Sequence, residues 1–158
     1  QRNWTEQKVL EIGRDLEVSI NHHAIKGFLE LCDEARGKGH MTVDLIQSRP
    51  FISYWPTLIL NRYHEDKNDF LYSFWGSKLS SVYGMDLTGK YILRGEFKET
   101  ENVFWTAHKD VITDLKPVYL NTSIHWLDKE HQTFNAVIIP MERNGTITET
   151  IAYVAFDK

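Results

Sequence analysis

Apolar positions along the chain follow two different periods, and the change from one to the other marks out the elements. Ala24, Ile25, Phe28, Leu29, Cys32 and Ala35 recur at helical spacing while Lys26, Glu30, Asp33, Glu34 and Arg36 take the other side, which predicts an amphipathic helix. Asn21 stands where a cap is needed, and Gly37 and Gly39 stand where such a helix ends. Upstream, Val9, Leu10, Ile12 and Leu16 leave an apolar stripe between Asn3 and about Ile20, with Asn3 and Glu6 in capping positions, so a first helix is expected there. Thr42 to Ile46 predicts a helical turn closed before Pro50. A longer helix is expected from Glu99 to Leu115, where Phe104, Ala107, His108, Val111 and Leu115 share a face and Lys116-Pro117 stops the run.

Strand character begins after Trp55-Pro56. Leu58-Ile59-Leu60 with Tyr63, a polar turn over 65–69, and Phe70 to Trp75 predict an antiparallel hairpin rich in aromatic residues. Gly76 to Gly84 suits a short helix carrying Leu79 and Val82. From Val118 to Leu127 odd and even positions separate with period two. Thr133 to Met141 and Ile147 to Phe156 are two further strands, joined across Asn144-Gly145, the dipeptide most favoured in tight hairpins. Two strands, helices, then a three-stranded meander imply an α+β fold built on a five-stranded antiparallel sheet with helices on one face.

A chain of 158 residues has the size of one domain. Its 42% hydrophobic and 25% charged residues are ordinary for a globular protein, whereas 13% aromatic is high and suits a compact core or a flat-walled cavity. The formal charge of −4, from 18 basic and 22 acidic residues, contains no basic stripe, which argues against nucleic acid as a partner. The lone Cys32 cannot form an intramolecular disulfide, and no Cys/His cluster has zinc spacing. Neither a secretory signal nor a run of about 18 apolar residues is found, so no membrane association and a cytoplasmic location are expected.

The run Phe70-x-Tyr72-x-Phe74-x-Gly76-Ser77-x-Leu79, followed by Gly84-x-Asp86-Leu87-Thr88-Gly89, resembles the signature of the PAS domain family, in particular a subfamily frequent in alphaproteobacteria. The likeness extends over Phe28 to Phe156. It departs from the family pattern at Ser73, where Arg is usual, at Ser77, where Thr is usual, and near Met41, where Pro is common. The resemblance implies a PAS-like domain over 40–158, preceded over 1–39 by a helical extension of the kind that pairs two copies. It also implies a sensory or regulatory role in signal transduction rather than an enzyme, with a homodimer or a signalling protein as partner. On local chemistry, Gly76 would let the backbone leave the strand, Ser77 would cap the helix, Gly84 and Gly89 would take positive φ, and Asp86 and Thr88 would close the turn.

Ligands of PAS-like domains sit between sheet and helices. With strict period two, Tyr72, Phe74, Ile124 and Trp126 would line that space from the sheet, and Trp105 and His108 from the long helix. These residues would surround a small apolar or planar molecule, with Tyr72 or His108 giving the orienting hydrogen bond. They would equally make a filled core, leaving a module that binds another chain. No cofactor is assigned: His108 is the one histidine placed like a helical haem ligand, a position more often filled by a hydrogen-bonded core residue, and Cys32 lies outside the segment that would face a flavin. Ser80, Ser81, His125 and Asp128 match no nucleophile arrangement, and neither a phosphate loop nor a dinucleotide fingerprint occurs.

Overall fold

The computed structural model describes residues 8–11, 23–92, 98–124 and 129–156. In chain order the elements are β1 (Lys8–Glu11), α1 (His23–Arg36), β2 (Met41–Thr42), α2 (Val43–Ile46), a 3-10 segment (Arg49–Thr57), β3 (Leu58–His64) and β4 (Asp69–Trp75). Then follow α3 (Ser77–Tyr83), α4 (Lys98–Asp114), β5 (Val118–Ile124), β6 (Lys129–Arg143) and β7 (Thr146–Phe156).

The expected hairpin is β3–β4, and the expected meander is β5–β6–β7 with its turn at Asn144-Gly145. They form one sheet because β3 pairs antiparallel with β7, from Leu58↔Tyr153 to Arg62↔Glu149. The strand order is β1-β5-β6-β7-β3-β4, so the five antiparallel strands run 4-3-7-6-5 across the sheet. Two short parallel strands were not foreseen. β1 adds to the outer edge of β5 (Lys8↔Val118 to Glu11↔Asn121), and β2 pairs with β6 at Met41↔Met141 and Thr42↔Glu142. Among the described residues the fold is thus α+β with a mixed seven-stranded sheet.

Two expectations need correction. Lys8–Glu11 lies in a strand and not in a helix; the unpaired backbone edge of β5 supplies a partner that helical spacing alone cannot reveal. The rest of the proposed first helix, and the cap at Asn21, lie outside the described residues. Helices also cover both faces of the sheet. α1, α2 and the 3-10 segment pack on Tyr119, Val137, Ile139, Met141, Ile151 and Tyr153. α3 and α4 pack on the alternate residues, including Val118, Leu120, Ala136, Ile138, Ala152 and Val154. The physical reason is the unbroken apolar runs Ala136–Ile139 and Ile151–Ala155, which offer no polar face to water and must be covered twice.

α1 holds its side of the sheet through Ile25, Phe28, Leu29 and Cys32, each buried. At about 1.5–3 kcal/mol for a fully buried large apolar side chain, this stripe is a main source of its attachment. Phe28 stacks on Tyr153 at 4.8 Å and meets Tyr54 edge-on at 5.2 Å. Burial in apolar surroundings pushes the Cys32 thiol up and out of reach of ionisation. At the end of this face Glu149, 2% exposed, is held by the Arg143 guanidinium, with Arg62 Nε 3.9 Å from its Oε1. A carboxylate buried to that degree requires such partners.

The turn chemistry agrees with the sequence reading at most positions. Gly84 (φ 80°) and Gly89 (φ 87°) are left-handed, and Asp86 Oδ1 accepts from the Thr88 amide at 2.9 Å and the Thr88 hydroxyl at 2.6 Å. The cap of α3 differs: Gly76 itself occupies that position, without a side-chain cap bond, and Ser77 is the first helical residue. Gly76 has ordinary backbone angles (φ −62°, ψ 151°), so conformational freedom is not what requires glycine. Its amide donates to Leu58 O at 2.9 Å, and a Cβ built there would lie 2.2 Å from the Pro56 carbonyl oxygen. Backbone would have to move. Gly76→Ala is therefore expected to cost more than about 3 kcal/mol of stability, read from urea unfolding, whereas Gly27→Ala, which meets nothing within 4 Å, should be neutral or stabilising.

Candidate functional site

β3 and β4 pair as Ile59↔Trp75 and Leu60↔Phe74, and then as Asn61↔Tyr72, so Ser73 is an extra residue on β4. Its hydroxyl donates to Leu60 O at 3.1 Å. Such a bulge reverses the alternation of all that follows. Tyr72 and Trp75 consequently face α3 and α4, with rings 5.3 Å apart and nearly perpendicular. Phe74 points to the other side and is 37% exposed. The expectation that Tyr72 and Phe74 line one space is corrected on this ground.

Of the other expected site residues, His108 is the most enclosed. It is 2% exposed beneath α4, its Nδ1 pairs with the Thr150 hydroxyl at 2.8 Å, and its ring lies 5.4 Å from that of Phe70. Burial without a charged partner pushes its pKa down to about 3, so the imidazole is neutral at physiological pH. Trp105, one turn earlier on α4, is half-buried and donates from Nε1 to Asn68 O at 3.1 Å, which ties the helix to the β3–β4 turn. Ile124 ends β5, paired with Lys129 past a register shift. Its side chain, and all of Trp126, lie outside the described residues.

Two residues that the sequence reading passed over complete the arrangement. Asn61 is 0% exposed, and among the described residues neither atom of its side-chain amide has a hydrogen-bond partner. It sits beside Thr150 on β7 and Tyr72 on β4 in the sheet register. The sheet face under α4 thus carries a transverse row Tyr72, Asn61, Thr150, met from above by His108. A signal was present in the sequence: Asn is depleted in strands, and here it directly follows the apolar run Leu58-Ile59-Leu60 within β3. All four groups are uncharged at neutral pH. They offer donors and acceptors inside an apolar shell, which suits a small neutral molecule and disfavours an ion.

No family model matches the chain, and neither does any curated protein or solved structure. Among the described residues no group of three or more His, Cys, Asp or Glu is placed to hold a metal ion. None of the described helices is long and apolar enough to cross a membrane.

The His108 environment has a measurable consequence. Its folded-state pKa of about 3 lies below the roughly 6.5 of the unfolded chain, so between those values the unfolded state binds the additional proton. The stability contributed by neutral His108 is complete above about pH 6.5 and declines as the pH falls toward 3, by about 1.4 kcal/mol per unit. Urea unfolding should show about 2 kcal/mol lost to this residue on going from neutral pH to about pH 5, and His108→Gln should flatten that part of the profile.

Proposed function

We propose that the chain is a PAS-type sensory domain in signal transduction, which takes up a small, uncharged planar or apolar ligand between its sheet and α4 and passes the bound state to a partner. The observation that carries this reading is the Asn61 amide, sealed from solvent on the sheet face with no hydrogen-bond partner among the described residues, next to the neutral His108–Thr150 pair. An unpaired buried amide costs about 1–3 kcal/mol, and a ligand that hydrogen-bonds to it would recover that cost. Support also comes from the five antiparallel strands joining in one sheet, with helical segments between hairpin and meander, as the sequence reading expects. Signalling follows if occupancy favours one of two packings of α4 on the sheet, since a ligand shifts a conformational equilibrium by its differential affinity. A partner, whether a second copy or another protein, would then read the position of the outer elements.

One observation favours a second reading, in which the domain is a ligand-free interaction or dimerisation module. Tyr72, Trp75 and Tyr83 form a continuous run of edge-on rings at 5.3 and 5.4 Å beneath the helices, which is how a filled aromatic core packs.

Asn61→Leu separates the two. It removes the unpaired amide, so the unliganded protein should gain about 1 kcal/mol in urea unfolding on either reading. On the sensor reading, a metabolite library screened by thermal shift contains compounds that raise the melting temperature of the wild type and do not raise that of Asn61→Leu. If no compound shifts the wild type and native mass spectrometry finds only a bare dimer, the interaction module stands instead.

A further inference from the structure

A concave surface lies on the outside of the molecule, where β4 ends between the 3-10 segment and α3. It is an open groove of about 490 Å³. The two large apolar side chains that stand out as exposed among the described residues, Ile52 at 51% and Phe74 at 37%, both line it. Trp55 and Trp75 add two indoles, and the one ionisable lining residue is Asp86. It shares no residue with the Asn61–His108 row. We propose that this groove binds an organic cation with apolar substituents, of the quaternary ammonium type.

The lining excludes the other simple ligand classes. An anion would meet Asp86 and no cation. A metal ion would find one carboxylate and the hydroxyls of Ser77 and Ser80 amid rings and an isoleucine, too little negative charge and too few oxygen donors to replace its water. A wholly apolar molecule would make no use of the carboxylate. A methylated ammonium satisfies both requirements, because its methyl groups bury against the aromatic faces while its charge is attracted by the ring quadrupoles and by Asp86.

The groove is also held in shape before any ligand arrives. Trp55 is fixed by its Nε1 bond to Ile46 O at 2.9 Å. Phe74 is presented by the Ser73 bulge. The close approach of Gly76 to Pro56 sets α3 against the 3-10 segment. Asp86 is oriented by its two bonds from Thr88, and those bonds hold its carboxyl below the usual carboxylate range, which keeps it ionised. A prearranged site loses less entropy on binding.

Choline, titrated into the purified protein by calorimetry, is compared with its neutral carbon isostere 3,3-dimethylbutan-1-ol. Choline should bind at least about tenfold more tightly than the isostere. Asp86→Asn, which keeps the oxygen that accepts from Thr88, should weaken choline several-fold and leave the isostere unchanged. Phe74→Leu keeps the bulk of the side chain without its π face and should also weaken choline. Asn61→Leu should leave choline binding intact, which separates this site from the one under α4. Equal affinity for choline and isostere, indifference to both groove substitutions, or no saturation up to about 0.1 M choline would overturn the proposal.

Discussion

The pairing of β3 with β7 is the contact on which the rest of this structure depends. It joins a hairpin from the middle of the chain to a meander from its end, across a long separation in sequence, whereas the pairings within the hairpin and within the meander are between consecutive strands. The five matched positions from Leu58↔Tyr153 to Arg62↔Glu149 place β7 in the interior of the sheet, where it is buried on both faces. Long-range antiparallel pairing of this kind is entropically costly to close and is rewarded only when both faces find cover. That cover comes from α1 on one side and α4 on the other.

Once β3 and β7 are in register, one extra residue decides what each face displays. Without Ser73, strict alternation would put Tyr72 and Phe74 on the same side. With it, Tyr72 joins the interior beneath α4 and Phe74 is left at the surface beside Trp55. The same irregularity therefore shapes two separate surroundings of opposite character. Beneath α4 lie buried polar groups; on the outside lies an open, aromatic groove that faces a single carboxylate. Bulges often occur where a sheet must re-aim a side chain for a purpose other than packing.

The buried polar groups divide along similar lines. Glu149 is acidic, and two arginines at the rim of the sheet answer it. His108 is neutral and answered by Thr150. Asn61 has nothing to answer it, although it lies one strand away from Thr150. Asn61 differs from the other buried polar groups in that both ends of its amide are without a partner among the described residues, at a cost comparable to a sizeable fraction of net stability, which is why it draws attention to function rather than to scaffold.

Much of the architecture was legible in the residues. The stripe of α1, the aromatic hairpin, the long helix over His108, the Asn144-Gly145 turn and the glycines flanking Asp86 are set by local spacing and by backbone chemistry, and these act before any tertiary contact exists. Three features were decided only by the folded chain. Lys8–Glu11 became a strand because β5 offered an open edge, and the helices divided between two faces because β6 and β7 carry the unbroken apolar runs Ala136–Ile139 and Ile151–Ala155. Ser73 became a bulge because β3 and β4 meet there out of phase. Each depends on what lies opposite in space, and a periodic pattern read along one segment carries no information about its partner. The candidate sites follow the same rule: His108 and Tyr72 could be named from their positions on a helix and a strand, whereas Asn61 acquires meaning only when burial leaves its amide without a partner.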